Sequence, residues 1–211
     1  MYQSLKRVFD VISALGVLII FSPVFLIIPL LIKLDSPGPV FYKQRRVGKD
    51  GKGFYIYKFR NMYTNADEMV IKNEEFRKLF KKKSGWKLDM DKDPRITKIG
   101  KYLRKYSLDE LPQIFNILNG DMSMVGPRAY RRDDVGDEIE EQLKLYPDLR
   151  HDMETALTVK PGLTGPWQTS GRNELSWDQR VKLDAEYARK QSLLYDLYLV
   201  FKTPKSMLSK W

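Results

Sequence analysis

The chain has 211 residues, of which 43% are hydrophobic and 30% charged, a balance that predicts a folded domain and excludes a disordered chain. It has no cysteine, which excludes disulfides, thiol nucleophiles and cysteine metal sites. Its one histidine, His151, lies in a charged stretch, and we interpret it as a solvated bystander rather than a catalytic base. The net charge of +10 favours an anionic partner: nucleic acid, anionic lipid headgroups or a phosphorylated substrate.

The first predicted element is an apolar helix, because no charged residue occurs between Val11 and Ile32. At ~1.5 Å per residue, such a run is long enough to cover the ~30 Å hydrocarbon core of a bilayer. A signal peptide would have a shorter apolar region and a small-residue cleavage site after it, whereas Lys33 follows here. The segment is therefore predicted to insert into a membrane.

Ser22 and Pro23 lie in the middle of this run, where proline bends or breaks a helix. A break at this depth would let the chain return to the face from which it entered. Positive residues flank both ends of the run, so the charge distribution favours neither orientation of a span. The residues alone leave a re-entrant hairpin and a bent span as equal alternatives.

The rest of the chain reads as a mixture of short strands and helices. A glycine-rich turn at residues 48–53 precedes an aromatic, β-branched strand, which predicts a β-hairpin. A charged helix ending in a solvated lysine run, a loop and two further helices follow. The predicted elements are the strand Phe54–Phe59, the helix Asn65–Lys83, the loop Asp89–Arg95, and the helices Ile96–Lys105 and Asp109–Leu118.

The last predicted element is the apolar, aromatic segment from Ser192 to Phe201, which is followed by lysines. Such a helix can lie in a membrane interface or pack against the domain core, and the pattern does not separate the two.

Ser107-Leu-Asp-Glu110 is the first candidate for chemistry. Its local interpretation is a capping box, in which the serine and glutamate satisfy the backbone donors of a new helix. The functional interpretation uses the same position, because backbone N–H groups at a helix start can hold phosphate oxygens. Of two consecutive carboxylates that point about 100° apart, one could attack phosphorus while the other holds Mg²⁺.

Several basic segments could bind phosphates. Two glycine-bearing loops could let the backbone approach a nucleotide closely, or they could be simple turns. The loops are Val125–Arg128 and Pro161–Gly165, and the basic segments are Gln44–Arg46, Lys58–Arg60, Arg128 and Arg172. Neither loop matches a P-loop or a dinucleotide fingerprint, so ATP-type and NAD-type binding find no support.

Taken in order, these segments resemble the bacterial sugar transferase family of monotopic phosphoglycosyl transferases, which start glycan assembly on polyprenyl phosphate. The resemblance covers nearly the whole chain, and this many motifs in register favour the functional interpretation of Asp109 and Glu110. The motifs are Lys6–Asp10, Ser22–Pro23, Gln44–Gly48, Tyr57–Arg60, Asp93–Thr97, Ser107–Gln113, Gly120–Ser123, Val125–Arg128, Pro161–Gly165 and Gly171–Asn173.

The resemblance implies that Asp109 attacks the β-phosphate of a UDP-sugar, releases UMP and forms a phosphosugar-enzyme, from which polyprenyl phosphate takes the sugar phosphate. It implies that Glu110, with Asp109, binds Mg²⁺ as cofactor, and that the Ser22–Pro23 break marks a re-entrant helix anchored near the lipid headgroups by Arg7. Candidate substrate-binding residues are Lys58, Arg60, Arg95, Pro127, Arg128, Arg172 and Asp184.

Several positions depart from the family pattern: Ala129 stands where proline is common, Asn61 where threonine or serine is usual, and Lys160 where arginine is usual. None is Asp109 or Glu110, so we expect the reaction class to hold while the donor preference stays open. Larger members carry a multi-span region before this unit, and the start of this sequence near the hairpin resembles the minimal type.

The prediction is an α+β fold, mostly helical, with a re-entrant membrane hairpin at residues 1–36 and a single catalytic domain at residues 37–211 that ends in a membrane-interface segment. The implied location is the bacterial plasma membrane, with the catalytic domain on its cytoplasmic face. The implied partners are a UDP-sugar, polyprenyl phosphate and membrane phospholipids, without nucleic acid; a homodimer is left open.

A rival hypothesis is a membrane-tethered protein that binds nucleic acid or anionic lipid without catalysis, and it rests on the +10 charge. A degenerate, non-catalytic family member is the other alternative. The presence of Asp109, Glu110, Arg128 and Arg172 argues against it.

Overall fold

The computed structural model describes residues 2–82, 88, 93–171 and 174–207. Short strands are interspersed among helices, so the mostly helical α+β prediction is confirmed. The helices are α1 (Tyr2–Ile20), α2 (Ser22–Asp35), α3 (Ala66–Lys72), α4 (Glu74–Lys82), α5 (Lys98–Lys105), α6 (Gln113–Asn119), α7 (Glu138–Leu143), α8 (Arg150–Ala156), α9 (Pro166–Thr169), α10 (Trp177–Lys190) and α11 (Leu193–Met207). The strands are β1 (Phe41–Val47), β2 (Gly53–Phe59), β3 (Ser123–Val125), β4 (Arg132–Asp133), β5 (Gly136–Asp137) and β6 (Gly162–Thr164).

The apolar N-terminal segment is two helices that meet at a bend of 61°. Pro23 lies in the first turn of α2, where its missing N–H costs nothing, so the predicted break at Ser22–Pro23 is confirmed. Within the described residues, neither helix alone has the length and apolarity to cross a bilayer, but the bent pair together meets both criteria. Large apolar side chains on both helices face outward; Ile19 is 74% exposed and Leu34 85%.

Charged groups on the inner face of α1 attach it to the folded unit. The carboxylate of Asp10 accepts hydrogen bonds from the Ser123 hydroxyl and the Met124 amide, both at 2.9 Å. Lys6 Nζ lies 2.8 Å from the fully buried carboxylate of Asp196 on α11. Buried charges are stable only when they are paired, so these contacts fix α1 on the unit in one position.

The predicted hairpin is confirmed as β1 and β2, which pair antiparallel from Phe41↔Phe59 to Val47↔Gly53. Asn116 on α6 links the hairpin to the core. Its amide donates to the carbonyl of Tyr55 at 2.7 Å and accepts from the backbone N–H of Tyr57 at 3.0 Å. The end of β2, which leads into Lys58 and Arg60, is thereby held against α6.

The two glycine-bearing loops contact each other, because β3 and β6 pair in parallel. A Cβ atom on Gly162 would lie 2.1 Å from the backbone nitrogen of Gly126, and one on Gly126 would lie 2.3 Å from the carbonyl oxygen of Lys160. These glycines therefore allow two stretches of this chain to approach each other. The simple-turn interpretation was wrong, and a nucleotide is not needed to explain them.

The C-terminal prediction had two alternatives, and α11 combines features of both. Leu199 and Asp196 on one face are buried against the core, whereas Leu194 and Phe201 are about 80% exposed. The helix therefore packs on the domain and still presents an apolar surface to its surroundings.

The predicted helix at residues 96–105 is confirmed as α5, which starts two residues later because the Thr97 hydroxyl caps it by accepting from the Gly100 amide. The charged segment from Asn65 is two helices, α3 and α4, rather than one. The predicted loop at 89–95 and the end of the lysine run at Lys83 lie largely outside the described residues.

Candidate active site

A cavity of about 160 Å³ opens where the end of β2, the loop before α3, the last turn of α5 and the loop after β3 converge. Asp109 and Glu110 both line it. The structure thus brings the predicted catalytic pair together with Lys58, Arg60, Arg95 and Arg128.

Asp109 and Glu110 lie in a 3₁₀ turn, Leu108–Glu110, between α5 and α6. The predicted helix at 109–118 was wrong at its start, because α6 begins only at Gln113. The capping box was wrong as well: Ser107 adopts left-handed backbone angles (φ 54°, ψ 22°) and its side chain makes no cap hydrogen bond. For a residue other than glycine this conformation costs roughly 1–2 kcal/mol, and it turns the chain so that the two carboxylates face the cavity.

Each carboxylate of the pair has its own partner. Asn61 Nδ2 donates to Asp109 Oδ2 at 2.7 Å, while Lys58 Nζ lies 2.9 Å from Glu110 Oε1. Asp109 is 5% exposed, whereas the side chain of Glu110 is 31% exposed. The two carboxylates therefore occupy different environments, as two separate chemical tasks require.

The walls of the cavity are strongly cationic. Seven basic residues line it against three acidic ones, and most of the basic side chains are already paired within the protein. Arg95 binds Asp93 through two hydrogen bonds of 2.8 and 2.7 Å, and Arg131 binds Asp67 at 2.9 Å. Such a surface selects for an anionic ligand.

Arg128 differs from these cations. Its guanidinium stacks on the indole of Trp167, 4.8 Å from the ring centroid, and Arg180 stacks on the same ring at 4.7 Å. The Nε of Arg128 is buried and has no hydrogen-bond partner among the residues that the structure describes. A guanidinium held in a cavity with a donor still unsatisfied is a ready partner for phosphate.

Burial and neighbouring charges act on the pKa values of two further arginines that line the cavity. Burial, and then the charge of Arg128, lower the pKa of Arg46 to about 10. Burial also lowers the pKa of Arg104, against the opposing charge of Asp109. Arg46 and Arg128 therefore repel each other, and a bound phosphate would offset that repulsion.

The other predicted site residues lie around the cavity or behind it. Arg60 lines it but donates to the carbonyls of Pro37 and Ser36, which end the α2 segment. Asp184 is fully buried behind the wall, where it accepts from the Arg128 amide at 3.3 Å.

Burial raises the pKa of Asp184 to about 7. Pro127 does not line the cavity, and its carbonyl accepts from the Gly162 amide at 2.8 Å. Arg172, also predicted, lies outside the described residues.

The predicted membrane-anchor residues lie away from the cavity. The guanidinium of Arg7 donates to the carbonyls of Ile117 and Leu118 and so caps the C-terminal end of α6. Ser22 is at the bend, where its hydroxyl donates to the carbonyl of Ile19 at 2.9 Å. A role for Arg7 at lipid headgroups stays a prediction.

The donor set fits Mg²⁺ only in a shared site. Across the part of the chain that the structure describes, no three Asp, Glu, His or Cys side chains converge as a metal site. Mg²⁺ keeps several waters and commonly binds through one or two carboxylates together with substrate phosphates. Asp109 and Glu110 line a cationic cavity that could admit phosphates, so they could bind Mg²⁺ as the two carboxylates of such a site.

Sequence reasoning missed Arg104, Arg131, Tyr42 and Asp67, which also line the cavity. Arg104 lies in the last turn of α5, where basic residues are common because they complement the helix dipole. No local sequence signal therefore distinguishes it from a basic residue that only stabilises the helix end. Tyr42 donates to Asp67 at 2.7 Å, a contact between residues 25 apart that the sequence pattern does not encode.

Comparison with known proteins agrees with the geometry. Residues 1–210 match the model of the family described as bacterial sugar transferase. The chain is 42% identical, over 98% of its length, to the undecaprenyl-phosphate galactose phosphotransferase of Salmonella typhimurium, and it spans 41% of that protein. It is 43% identical, over 97% of its length, to the exopolysaccharide production protein ExoY of Rhizobium meliloti, of which it spans 86%.

A third relative is the UDP-glucose:undecaprenyl-phosphate glucose-1-phosphate transferase of Escherichia coli, which is 39% identical over 94% of this chain and of which the chain spans 39%. The similarity extends from the apolar helices to the C-terminal helix and includes every element that lines the cavity. The chain therefore belongs to the bacterial sugar transferase family.

Proposed function

We propose that the protein transfers a sugar 1-phosphate from a UDP-sugar to undecaprenyl phosphate and releases UMP, the first membrane step in assembly of a polysaccharide or glycan. The observation that carries the proposal is the position of Asp109, a buried carboxylate in a cavity that Arg128 also lines with a buried Nε for which the described residues offer no hydrogen-bond partner. The names of the relatives, which act on UDP-sugars and undecaprenyl phosphate, support the same reaction.

In the first step, a carboxylate oxygen of Asp109 forms a bond to the β-phosphorus of the donor. The bond from that phosphorus to the bridging oxygen breaks, and UMP leaves with the bridging oxygen and its electron pair. In the second step, a phosphate oxygen of the lipid attacks the same phosphorus and Asp109 leaves as a carboxylate. Neither step needs a general base, because both attacking oxygens are already anionic. This agrees with a chain whose one histidine, His151, does not line the cavity.

The basic residues of the cavity supply what this chemistry needs most, stabilisation of charge on the transferred group and the leaving group. Phosphoryl transfer depends almost entirely on positioning and electrostatics. Arg128 is held on Trp167 and Arg104 is buried beside Asp109, so their charges are in place before the substrate arrives. Little reorganisation is then required in the transition state.

Glu110, with Asp109, would hold Mg²⁺ together with the phosphates of the donor. When bound, the ion neutralises charge on the leaving phosphate. Lys58, which pairs with Glu110 at 2.9 Å, keeps that carboxylate directed into the cavity.

The test of the reaction is release of UMP from a panel of UDP-sugars by the purified protein with undecaprenyl phosphate and Mg²⁺. We expect one or a few donors to give UMP and a lipid diphosphate sugar in equal amounts. The same panel identifies the donor sugar. Failure of every UDP-sugar, in preparations that fold and insert normally, would contradict the proposal.

Glu110→Gln tests the role of the metal. The amide keeps the shape of the side chain but binds Mg²⁺ poorly, so we expect the Mg²⁺ concentration for half-maximal activity to rise at least about tenfold, or activity to be lost. Titration of Mg²⁺ at saturating donor measures it, with Glu141→Gln as an acidic-to-amide control outside the cavity wall. An unchanged Mg²⁺ dependence in the Glu110 variant would rule out the proposed role.

The contacts at the two ends of the N-terminal helix pair support a re-entrant hairpin rather than a span. Near the start of α1, Lys6 pairs with Asp196; at the last residue of α2, the carboxylate of Asp35 accepts from the Ile99 amide at 3.0 Å. Both ends are thus bonded to the same folded unit. A span would separate them by the ~30 Å hydrocarbon core, across which one compact, charged unit cannot extend.

Single cysteines test this topology cleanly, because the chain has none of its own. We expect Gln3→Cys and Pro37→Cys to react with a membrane-impermeant maleimide in inverted membrane vesicles, and neither to react in intact spheroplasts. Labelling of the two positions from opposite sides would establish a span. Labelling of both from outside would place the catalytic unit on the other face.

A further inference from the structure

Asn61 donates a hydrogen bond to the candidate nucleophile Asp109, and the reaction assigned above gives Asn61 no task. Its Nδ2 lies 2.7 Å from Asp109 Oδ2, and it belongs to the wall of the cavity. The two residues are 48 positions apart, so the contact depends on the fold and not on local sequence.

The backbone of Asn61 is fixed independently of its side chain. Its carbonyl accepts from the Thr97 amide at 3.1 Å, at the start of α5. Gly100 makes this approach close: a Cβ on Gly100 would lie 2.0 Å from the carbonyl oxygen of Asn61. The amide group of Asn61 is therefore presented to Asp109 from a position that α5 and the end of β2 determine together.

We propose that Asn61 is a positioning residue, which holds one carboxylate oxygen of Asp109 so that the carboxylate keeps a fixed orientation towards the phosphorus of the donor. The inference rests on the proposed function of Asp109 as nucleophile. A carboxylate on a short side chain rotates readily about Cβ–Cγ, and a hydrogen bond to one oxygen removes that freedom before the substrate binds. Correct orientation of reacting groups can contribute several kcal/mol to a rate, so small misplacements are costly.

The chemistry of the amide suits this task. A lysine or arginine in the same place would also hold the carboxylate, but a full positive charge stabilises the anion and weakens it as a nucleophile. A neutral N–H donor restricts rotation at a smaller electrostatic cost. Asn61 thus fixes the orientation of Asp109 without adding to the positive charge that Arg104 already places near this carboxylate.

The first arm of the test measures kinetics with the full-length protein, the UDP-sugar that the panel identifies, and undecaprenyl phosphate. We expect Asn61→Ala to lower kcat, and the rate of the phosphosugar adduct formed without acceptor, by about 10- to 100-fold, with the donor KM changed less than about threefold. Asn61→Ser, which restores a donor, recovers part of the loss. Asn65→Ala, an exposed asparagine four residues on, leaves both constants unchanged. A raised KM with normal kcat would make Asn61 a substrate-binding residue and overturn the proposal.

The second arm needs no activity and tests the contact itself by thermal unfolding. Asn61→Asp places a second carboxylate against Asp109, and we expect the melting temperature to fall by about 4 °C or more. Combining it with Asp109→Asn exchanges donor and acceptor, so the double variant recovers most of that loss. Additive effects would show that the two side chains do not interact, which overturns the inference whatever the reaction is.

The two arms separate the inference from the proposed function. If the melting temperatures of Asn61→Asp and Asp109→Asn are non-additive (coupled stabilities) but Asn61→Ala forms the adduct at the normal rate, the hydrogen bond is only a structural contact. That result would overturn the positioning role. Coupled stabilities in a protein that forms no adduct with any UDP-sugar reject Asp109 as nucleophile, and the positioning role with it. Coupled stabilities with a slow adduct rate at unchanged KM support both.

Discussion

Replacement of Asp109 by asparagine is expected to lower turnover by at least about 10³-fold, the scale on which loss of a covalent nucleophile acts. The amide has nearly the shape of the carboxylate and keeps an oxygen that can accept from Asn61, so the cavity is preserved. What is lost is the anionic oxygen that attacks phosphorus. Mass spectrometry of the wild type, incubated with donor and without lipid acceptor, is expected to show a phosphosugar adduct that the variant lacks.

The matched control for this prediction is Asp148→Asn, which makes the same change at an exposed carboxylate outside the cavity wall. It is expected to retain full activity and the adduct. Thermal unfolding of both variants checks that the fold is intact. Substantial turnover in Asp109→Asn, or an adduct that maps to another residue, would reject Asp109 as the nucleophile while leaving the fold and the family unaffected.

Gly162→Ala is expected to have a large effect on stability, a loss of about 3 kcal/mol or more, at the upper end for overpacked interiors. A Cβ at this position would lie 2.1 Å from the nitrogen of Gly126 and 2.3 Å from the carbonyl oxygen of Thr164. Both are backbone atoms, so no side-chain rotation relieves the clash, and β3 and β6 must separate. Because Arg128 follows β3 by three residues, activity is expected to fall together with the melting temperature.

Gly16→Ala is the matched control, since a Cβ at Gly16 in α1 meets nothing within 4 Å. Alanine is favoured over glycine in a helix by roughly 1 kcal/mol, so this variant should be as stable as the wild type or slightly more so. Thermal unfolding of the purified protein in detergent measures both changes. A Gly162→Ala protein that melts with the wild type would show that β3 and β6 do not pack as the structure has them.

Local chemistry accounts for the elements that were predicted well. Aromatic and β-branched residues on either side of a glycine-rich turn produced the β1–β2 hairpin in the expected place. The break at Pro23 and the helix after Thr97 are equally local, because proline lacks an amide hydrogen and threonine caps a helix start.

The errors fall where tertiary packing overrides a local pattern. Ser107-Leu-Asp-Glu110 has the composition of a capping box, yet Ser107 is left-handed and the chain makes a 3₁₀ turn. The turn between α5 and α6 must satisfy the packing of both helices, and this requirement outweighs the small free energy of a cap. The glycines at 126 and 162 were misread for the same reason, since their partner is a distant stretch of this chain.

By itself, the sequence determined the adjacency of Asp109 and Glu110, the apolar segment with its break, and the family, because each depends on residues that are neighbours along the chain. Only the tertiary structure decided which side chains meet these carboxylates. Lys58 and Asn61 contact them from the end of β2, and no spacing rule relates a strand end to a turn some fifty residues later. Arg128 lines the same cavity from the loop after β3. Convergence of this kind is set by long-range packing, which also made Arg104, an ordinary residue of a helix end, part of the cavity wall.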